Sequence, residues 1–114
     1  MTNLIIIGKL KSSIDDFKKA LSKLISYVPT LYTTNDLEFK CYIIIDSIAD
    51  FDVIDVVRFL TKHCSNFVME VDERDCSSYF KRSIYYYRWD GKNLKKCFKD
   101  YFGSLCEDVN FLLE

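Results

Sequence analysis

The side chains best suited to chemistry or binding lie in three short stretches of the 114-residue sequence. Residues 83–92 read SIYYYRWDGK, with three tyrosines, one arginine and the only tryptophan of the chain. Residues 70–75 read EVDERD, and Asp46 follows the apolar run Ile43–Ile45. Aromatic and arginine side chains are preferred anchors of protein interfaces, whereas carboxylates at strand ends can hold Mg²⁺ for phosphoryl transfer. The sequence therefore offers a binding surface and, as a lesser alternative, a metal-dependent site.

Catalytic residue types are few. His63 is the only histidine, and its neighbour Cys64 would point about 100° away from it on a helix. Asp52 and Asp55 have the spacing of a helix N-cap and a first-turn acid, a pattern that needs no metal. We therefore expect a protein without enzymatic activity, cofactor or metal. An Mg²⁺-dependent phosphoryl-transfer enzyme centred on Asp46 is the third-ranked interpretation.

The five cysteines show no disulfide or zinc signature, because their number is odd, their spacing is irregular and no C-x-x-C occurs. The apolar run that starts at Leu4 is too short for a signal-peptide core or a membrane span. These features predict a cytoplasmic protein, acting in a host cytosol, that does not enter the membrane.

Hydrophobic periodicity assigns residues 3–89 to four strands and two helices. The length predicts one domain over residues 1–114. Apolar and β-branched runs predict four strands, at about residues 3–7, 37–46, 66–72 and 79–89. Apolar residues at steps of three and four predict one helix from Ser13 to Pro29, with Val28 in its apolar stripe, and a second that starts at Asp50 or Asp52.

The segment from Asn93 onward is predicted to be helical. An apolar stripe at helical spacing follows an N-cap at Asn93, with Gly103 as the C-cap; it comprises Leu94, Cys97, Phe98, Tyr101 and Leu105. Beyond it, the capping box Ser104-x-x-Glu107 favours a further short helix. An edge strand with Val109, Phe111 and Leu113 on one face is the alternative.

The predicted order β-α-β-α-β-β-α indicates an α+β two-layer sandwich. A mixed or antiparallel sheet of about four strands would carry two to four helices, mainly on one face. The nearest named architecture that this order resembles is the ferredoxin-like fold, of which it would be a variant with extra elements.

Alternation along the fourth strand divides its large side chains between the two faces of the sheet. One set comprises Tyr85, Tyr87 and Trp89, and the other comprises Phe80, Ile84, Tyr86 and Arg88. Neither set is wholly apolar, so at least one large ring must face outward. If the second set packs against the helices, the first forms an exposed aromatic row.

These features predict a small protein-binding module, such as a phage or mobile-element inhibitor or immunity protein. It would block a partner, in the most specific version a nucleic-acid-processing defence complex, with an acidic surface that imitates phosphates. The expected contact residues are Glu70, Asp72, Glu73, Asp75, Tyr85, Tyr87, Arg88 and Trp89. The alternative is a single-stranded nucleic-acid-binding domain in which the aromatic row stacks bases between basic flanks. A net charge of −1 argues against that alternative.

Overall fold

Strands dominate the fold, which we describe from a computed structural model. The structure describes residues 1–27, 29–34, 37–75, 81–100 and 103–114. In chain order the elements are β1 (Thr2–Leu10), α1 (Ile14–Leu24), β2 (Thr30–Thr33), β3 (Glu38–Ile45), α2 (Val53–His63), β4 (Cys64–Asp75), β5 (Lys81–Trp89), β6 (Leu94–Asp100), β7 (Gly103–Asp108) and a 3₁₀ helix (Asn110–Leu113). The described strands form one sheet in the order β2-β3-β1-β4-β5-β6-β7, and all neighbouring strands are antiparallel.

Both N-terminal helix predictions are confirmed, with local chemistry that explains them. The Ser13 hydroxyl accepts the Asp16 N–H at 3.2 Å and caps α1. Asp52 caps α2 in a capping box, because Asp52 Oδ1 accepts the Asp55 N–H at 2.8 Å and Asp55 Oδ2 accepts the Asp52 N–H at 3.0 Å. Helix α1 ends at Leu24, earlier than predicted, and Val28 lies outside the described residues.

The prediction of a four-strand, ferredoxin-like sandwich is wrong: the chain is α+β, but its sheet has seven strands and its α-helices number two among the described residues. The expected third helix is the β6–β7 hairpin, and the expected short helix from Ser104 is part of β7. Gly103, at φ +127°, begins β7 and caps no helix. Tyr101 of the predicted stripe lies outside the described residues, as do Tyr79 and Phe80 at the predicted start of the fourth strand.

The short strand β2 was also not predicted. Its sequence Thr-Leu-Tyr-Thr places one partly buried residue, Leu31, between exposed neighbours. Four residues with one inward apolar side chain give too little alternation to identify a strand. The strand forms because Thr30–Thr33 pairs with residues 39–42 of β3.

The core lies between the helices and the central strands β3, β1 and β4. Its largest fully buried side chains include Phe17 and Leu60 from the helices and Phe67, Met69 and Ile6 from the strands. Since a helix is about 10 Å wide and strands are about 4.8 Å apart, two helices cover roughly four strands. A seven-stranded sheet therefore extends beyond them, and on the helix side Leu105 of β7 is 66% exposed.

Gly8 allows β1 and β4 to approach closely, and we expect Gly8→Ala to destabilise the protein by about 2 kcal/mol. A Cβ at this position would lie 2.5 Å from the Asn66 carbonyl oxygen and 2.8 Å from Phe67 Cβ, so the backbone would have to move. Urea unfolding measures the loss. The matched control is Ser83→Thr, which also adds one methyl group to a strand but at an exposed position of β5; equal losses in the two variants would contradict the packing explanation.

Candidate functional site

The face of the sheet opposite the helices is the main candidate for function, and we call it the open face. Neither α-helix packs on it, and its residues are those that alternate with the buried side chains of β1, β3 and β4. Three aliphatic side chains on it are substantially exposed: the cross-strand neighbours Ile7 at 56% and Val68 at 41%, and Ile44 at 50%, which lies near the end of β3. Adjacent exposed apolar side chains on a surface mark interaction sites more often than isolated ones do.

The strand register places Ile7 and Val68 in one row across the sheet, whereas Ile44 lies outside that row, opposite Asn3. Ile7 lies opposite Val68 on one side and Lys40 on the other. Val68 in turn lies opposite Arg88, and Arg88 lies opposite Lys95. The apolar pair Ile7 and Val68 thus has a cation on each side. The row from Lys40 to Lys95 spans four strand spacings, or about 19 Å at 4.8 Å per spacing.

The open face is positively charged although the whole chain carries −1. Seven cations point to this side by strand alternation: Lys9, Lys40, Arg74, Arg82, Arg88, Lys95 and Lys99. Four carboxylates share it: Glu38, Glu70, Asp72 and Asp108. The described part of the face therefore carries a formal charge of +3, which favours an acidic partner.

A hollow of about 730 Å³ lies at the end of the open face where β1 and β4 meet β5 and β6. Its lining includes the apolar pair Ile7 and Val68 and the cations Lys9, Arg88 and Lys95. The size is that of a small-ligand pocket, but here the hollow is a depression in a broad surface. It gives a partner side chain both an apolar contact and a counter-charge.

Two ion pairs occupy the opposite end of the open face, around Asp72. Arg82 donates to both oxygens of Asp72 at 3.1 and 3.0 Å, and Arg74 lies 3.6 Å from the same carboxylate. The hydrogen bond from Arg82 is the main cause that lowers the Asp72 pKa. The Arg82–Asp72 pair joins β5 to β4, whereas Arg74 and Asp72 both belong to β4. Because both arginines are about half exposed, we expect the two pairs to have little effect on stability.

The predicted aromatic row lies on the helix side of the sheet and is buried at Tyr87 but partly exposed at Tyr85 and Trp89. Tyr85, Tyr87 and Trp89 lie on the helix side of the sheet, and Tyr87 is only 3% exposed. The Tyr85 hydroxyl donates to Glu73 at 2.6 Å, and burial, followed by this bond, raises the Tyr85 pKa. Lys96 Nζ lies 4.4 Å from the Tyr85 ring centroid, a cation–π distance. The expectation that this set is exposed is therefore wrong for Tyr87, while Arg88, on the other face, is exposed.

Trp89 is partly buried against the core, next to the β5–β6 turn. Its indole nitrogen is buried and has no hydrogen-bond partner among the described residues. Residues 90–93 form this turn: Asp90 accepts the Lys92 and Asn93 N–H groups at 2.8 and 2.7 Å, and Gly91 adopts φ +94°.

The predicted acidic surface is divided by the strand. Glu70 and Asp72 are on the open face, where Tyr86 donates to Glu70 at 3.3 Å. Glu73 is on the helix side and accepts from Tyr85. The side chain of Asp75 lies outside the described residues. The three described carboxylates thus form no common patch, and each has a donor within the chain.

Two cysteines form a bond that the sequence did not indicate. Cys97 and Cys106 are direct partners in the β6–β7 hairpin and are joined by a disulfide, so the expectation of no disulfide is wrong. Register is the missing information, because a nine-residue spacing identifies a cross-strand pair only once both strands are known. The thiols of Cys41 and Cys64 are buried, and burial raises the pKa of each to about 12, which makes them poor nucleophiles at neutral pH.

The residues of the metal-site alternative have structural partners. Asp46 accepts the Ile48 N–H at 3.1 Å in the turn before α2, and Asp52 and Asp55 bind each other's backbone in the capping box. In the described ranges, no three His, Cys, Asp or Glu side chains are grouped closely enough to hold a metal ion.

Among the helices of the described residues, none is long and apolar enough to cross a membrane. Comparison with protein-family models, with curated proteins and with solved structures finds no match for this chain.

Proposed function

We propose that the protein is a protein-binding module without chemistry of its own and that the open face is its contact surface. The observation that carries the proposal is the exposure of the neighbouring side chains Ile7 and Val68, together with Ile44 near the end of β3, on a sheet face that neither α-helix covers. Leaving such side chains in water costs free energy that burial against a partner recovers, at about 25 cal/mol per Å². The contact therefore differs from the Tyr/Trp and acidic surfaces expected from the sequence.

The positive charges of the open face indicate that the surface of its partner is acidic. Lys40 and Arg88 flank the apolar pair formed by Ile7 and Val68, and within the described residues neither cation lies within 4.0 Å of a carboxylate. A complementary surface has apolar residues flanked by aspartate or glutamate. Charges of this kind chiefly raise the association rate and exclude wrong partners.

A module of this kind acts on its partner by occupying a surface. We therefore keep the class of inhibitor or immunity protein as part of the proposal, with the acidic surface now on the partner and the basic one on this chain. This reverses the phosphate-imitating role expected for Glu70, Asp72, Glu73 and Asp75, whose described members are bonded within the chain.

The test is a double substitution at the centre of the open face, Ile7→Asp with Val68→Asp. Both side chains are exposed in the free protein, so the variant should fold while it loses apolar contact and gains charges that repel an acidic partner. A protein captured from lysate of the native source by the wild type is purified and titrated calorimetrically. We expect the dissociation constant to rise at least tenfold, that is, by about 1.4 kcal/mol or more.

The matched control is Ile48→Asp with Phe111→Asp, because these apolar residues are 89% and 65% exposed but lie outside the sheet. The control variant should bind the partner with the affinity of the wild type. Unchanged binding by the open-face variant, or an equal loss in the control, would contradict the proposal.

Single-stranded nucleic-acid binding is the second candidate, and one observation favours it. Lys40 Nζ lies 5.3 Å from the Tyr42 ring and Lys99 Nζ lies 5.8 Å from the Tyr86 ring, so two cation–aromatic pairs occupy the open face. The aliphatic centre favours protein, since Ile7 and Val68 have no π face on which a base can stack. Fluorescence anisotropy of a labelled oligothymidylate at low salt separates the candidates: binding that Lys40→Glu abolishes and Ile7→Asp retains would favour nucleic acid.

A further inference from the structure

Strand β7 is an exposed sheet edge with an apolar side chain. In the described structure it is hydrogen-bonded to β6 alone. On its helix side Leu105 is 66% exposed, and its cross-strand neighbour Phe98 is 38% exposed. Folded proteins usually protect such edges, because unpaired strand groups recruit other strands. The opposite edge, β2, is only four residues long.

The pairing pattern shows which backbone groups of β7 are free. Val109 donates its N–H to the Leu94 carbonyl at 3.0 Å, and hydrogen-bonded pairs alternate with non-hydrogen-bonded pairs in an antiparallel ladder. Cys97 and Cys106 are therefore a non-hydrogen-bonded pair, consistent with their Cα separation of 4.0 Å. It follows that the N–H and C=O groups of Ser104, Cys106 and Asp108 point away from β6, toward the free edge.

The charges on β7 do not protect this edge well. Edge strands are commonly guarded by charged side chains that repel an incoming strand. Here Glu107 is opposite Lys96 and Asp108 is opposite Lys95 within the same hairpin, so each negative charge has a positive neighbour. The Cys97–Cys106 disulfide also fixes β7 to β6, which reduces the entropy lost when another strand is added.

We propose that β7 pairs antiparallel with β7 of a second copy of this chain. The register is centred on Leu105, which lies opposite Leu105 of the other copy, so that Ser104 of each copy lies opposite Cys106 of the other. Each of these two Ser104–Cys106 pairs exchanges two backbone hydrogen bonds, which gives four in total. Glu107 then faces Gly103, and no like charges are directly opposed. This self-complementarity is the reason for choosing a second copy over an unrelated strand. The contact uses the sheet edge and leaves the open face free.

Sedimentation velocity of the wild-type protein tests the inference, with an expected mass twice the chain mass of 13.5 kDa. Leu105→Lys should be monomeric, because it sets two ammonium groups against each other at the two-fold axis. Tyr32→Lys, on the opposite edge and also exposed at 61%, should remain dimeric. We expect Leu105→Lys to raise the dimer dissociation constant at least tenfold.

Hydrogen exchange of the wild-type protein gives an independent readout that needs no variant. Between about 1 and 100 µM, the amides of Ser104 and Cys106 should become more protected as the dimer forms. A monomer at about 100 µM, a folded Leu105→Lys variant that stays dimeric, dissociation by Tyr32→Lys, or exchange at these amides that does not change with concentration would each overturn the proposal.

Discussion

Tyr87→Ala is expected to lower the free energy of unfolding by about 3 kcal/mol, as large-to-small core substitutions of aromatic residues do. Tyr87 is 3% exposed, belongs to the core and lies 5.8 Å from the Tyr85 ring in an edge-on arrangement. Domains of this size are stable by only about 5–15 kcal/mol, so the loss is a large share of the total. Urea unfolding followed by far-UV circular dichroism measures it.

Tyr32→Ala is the matched control, because the same atoms are removed from a ring that is 61% exposed. It should change the free energy of unfolding by no more than about 0.5 kcal/mol. Similar stabilities for the two variants would show that Tyr87 is not a core residue. If the predicted difference is found, Tyr87 acts in the core, and a loss of partner binding in Tyr87→Ala is no evidence of a contact through that ring.

The elements that the sequence predicted well share one property, which is a single buried face. Helices α1 and α2 carry apolar stripes because one side of each lies on the sheet, and β3 and β4 alternate because the helices cover one side of them. Their caps, Ser13 and Asp52, act through neighbouring backbone and are visible in sequence. Local chemistry and one-sided burial were therefore enough to locate these elements.

The β6–β7 hairpin was mistaken for a helix because it extends beyond the helices. Leu94 is buried on the helix side, Cys97 is buried on the open face beside its disulfide partner, and Phe98 is exposed. Apolar residues on both faces remove the two-residue alternation. The apolar residues Leu94, Cys97 and Phe98 are then separated by three residues and by one residue, as on one side of a helix. Periodicity therefore predicted a helix where two strands form.

Prediction of the candidate site also failed because strand register, and the sheet face that the helices cover, were not known from the sequence. Alternation correctly separated Tyr85 from Tyr86, but both faces of β5 carry rings and cations, so composition did not decide which face meets the helices. The hydrogen bonds of Tyr85 to Glu73 and of Tyr86 to Glu70 cross between strands and depend on register. The exposed residue Val68, central to the open face, carried no signal of its own in sequence.

Loss of the Cys97–Cys106 disulfide is expected to lower the free energy of unfolding by about 2.5 kcal/mol, the chain-entropy value for a loop of this length. The bond closes a hairpin whose sequence separation is nine residues. Urea unfolding with and without a reducing agent measures the effect. The double variant Cys97→Ser with Cys106→Ser serves as the control, since it should resemble the reduced wild type and ignore the reductant. Peptide mapping that finds no Cys97–Cys106 link in protein kept from reductant would contradict the bond.

Reduction of the disulfide should increase local opening mainly in β6 and β7, because few other contacts stabilise this hairpin. Leu105 is 66% exposed and Phe98 is 38% exposed, whereas β1 and β4 are held by a packed core. Hydrogen exchange should therefore accelerate at residues 94–99 and 104–108 upon reduction while Ile6 and Met69 stay protected. If β7 also joins a second copy, reduction will weaken the dimer, since the edge strand must then be ordered at the moment of pairing.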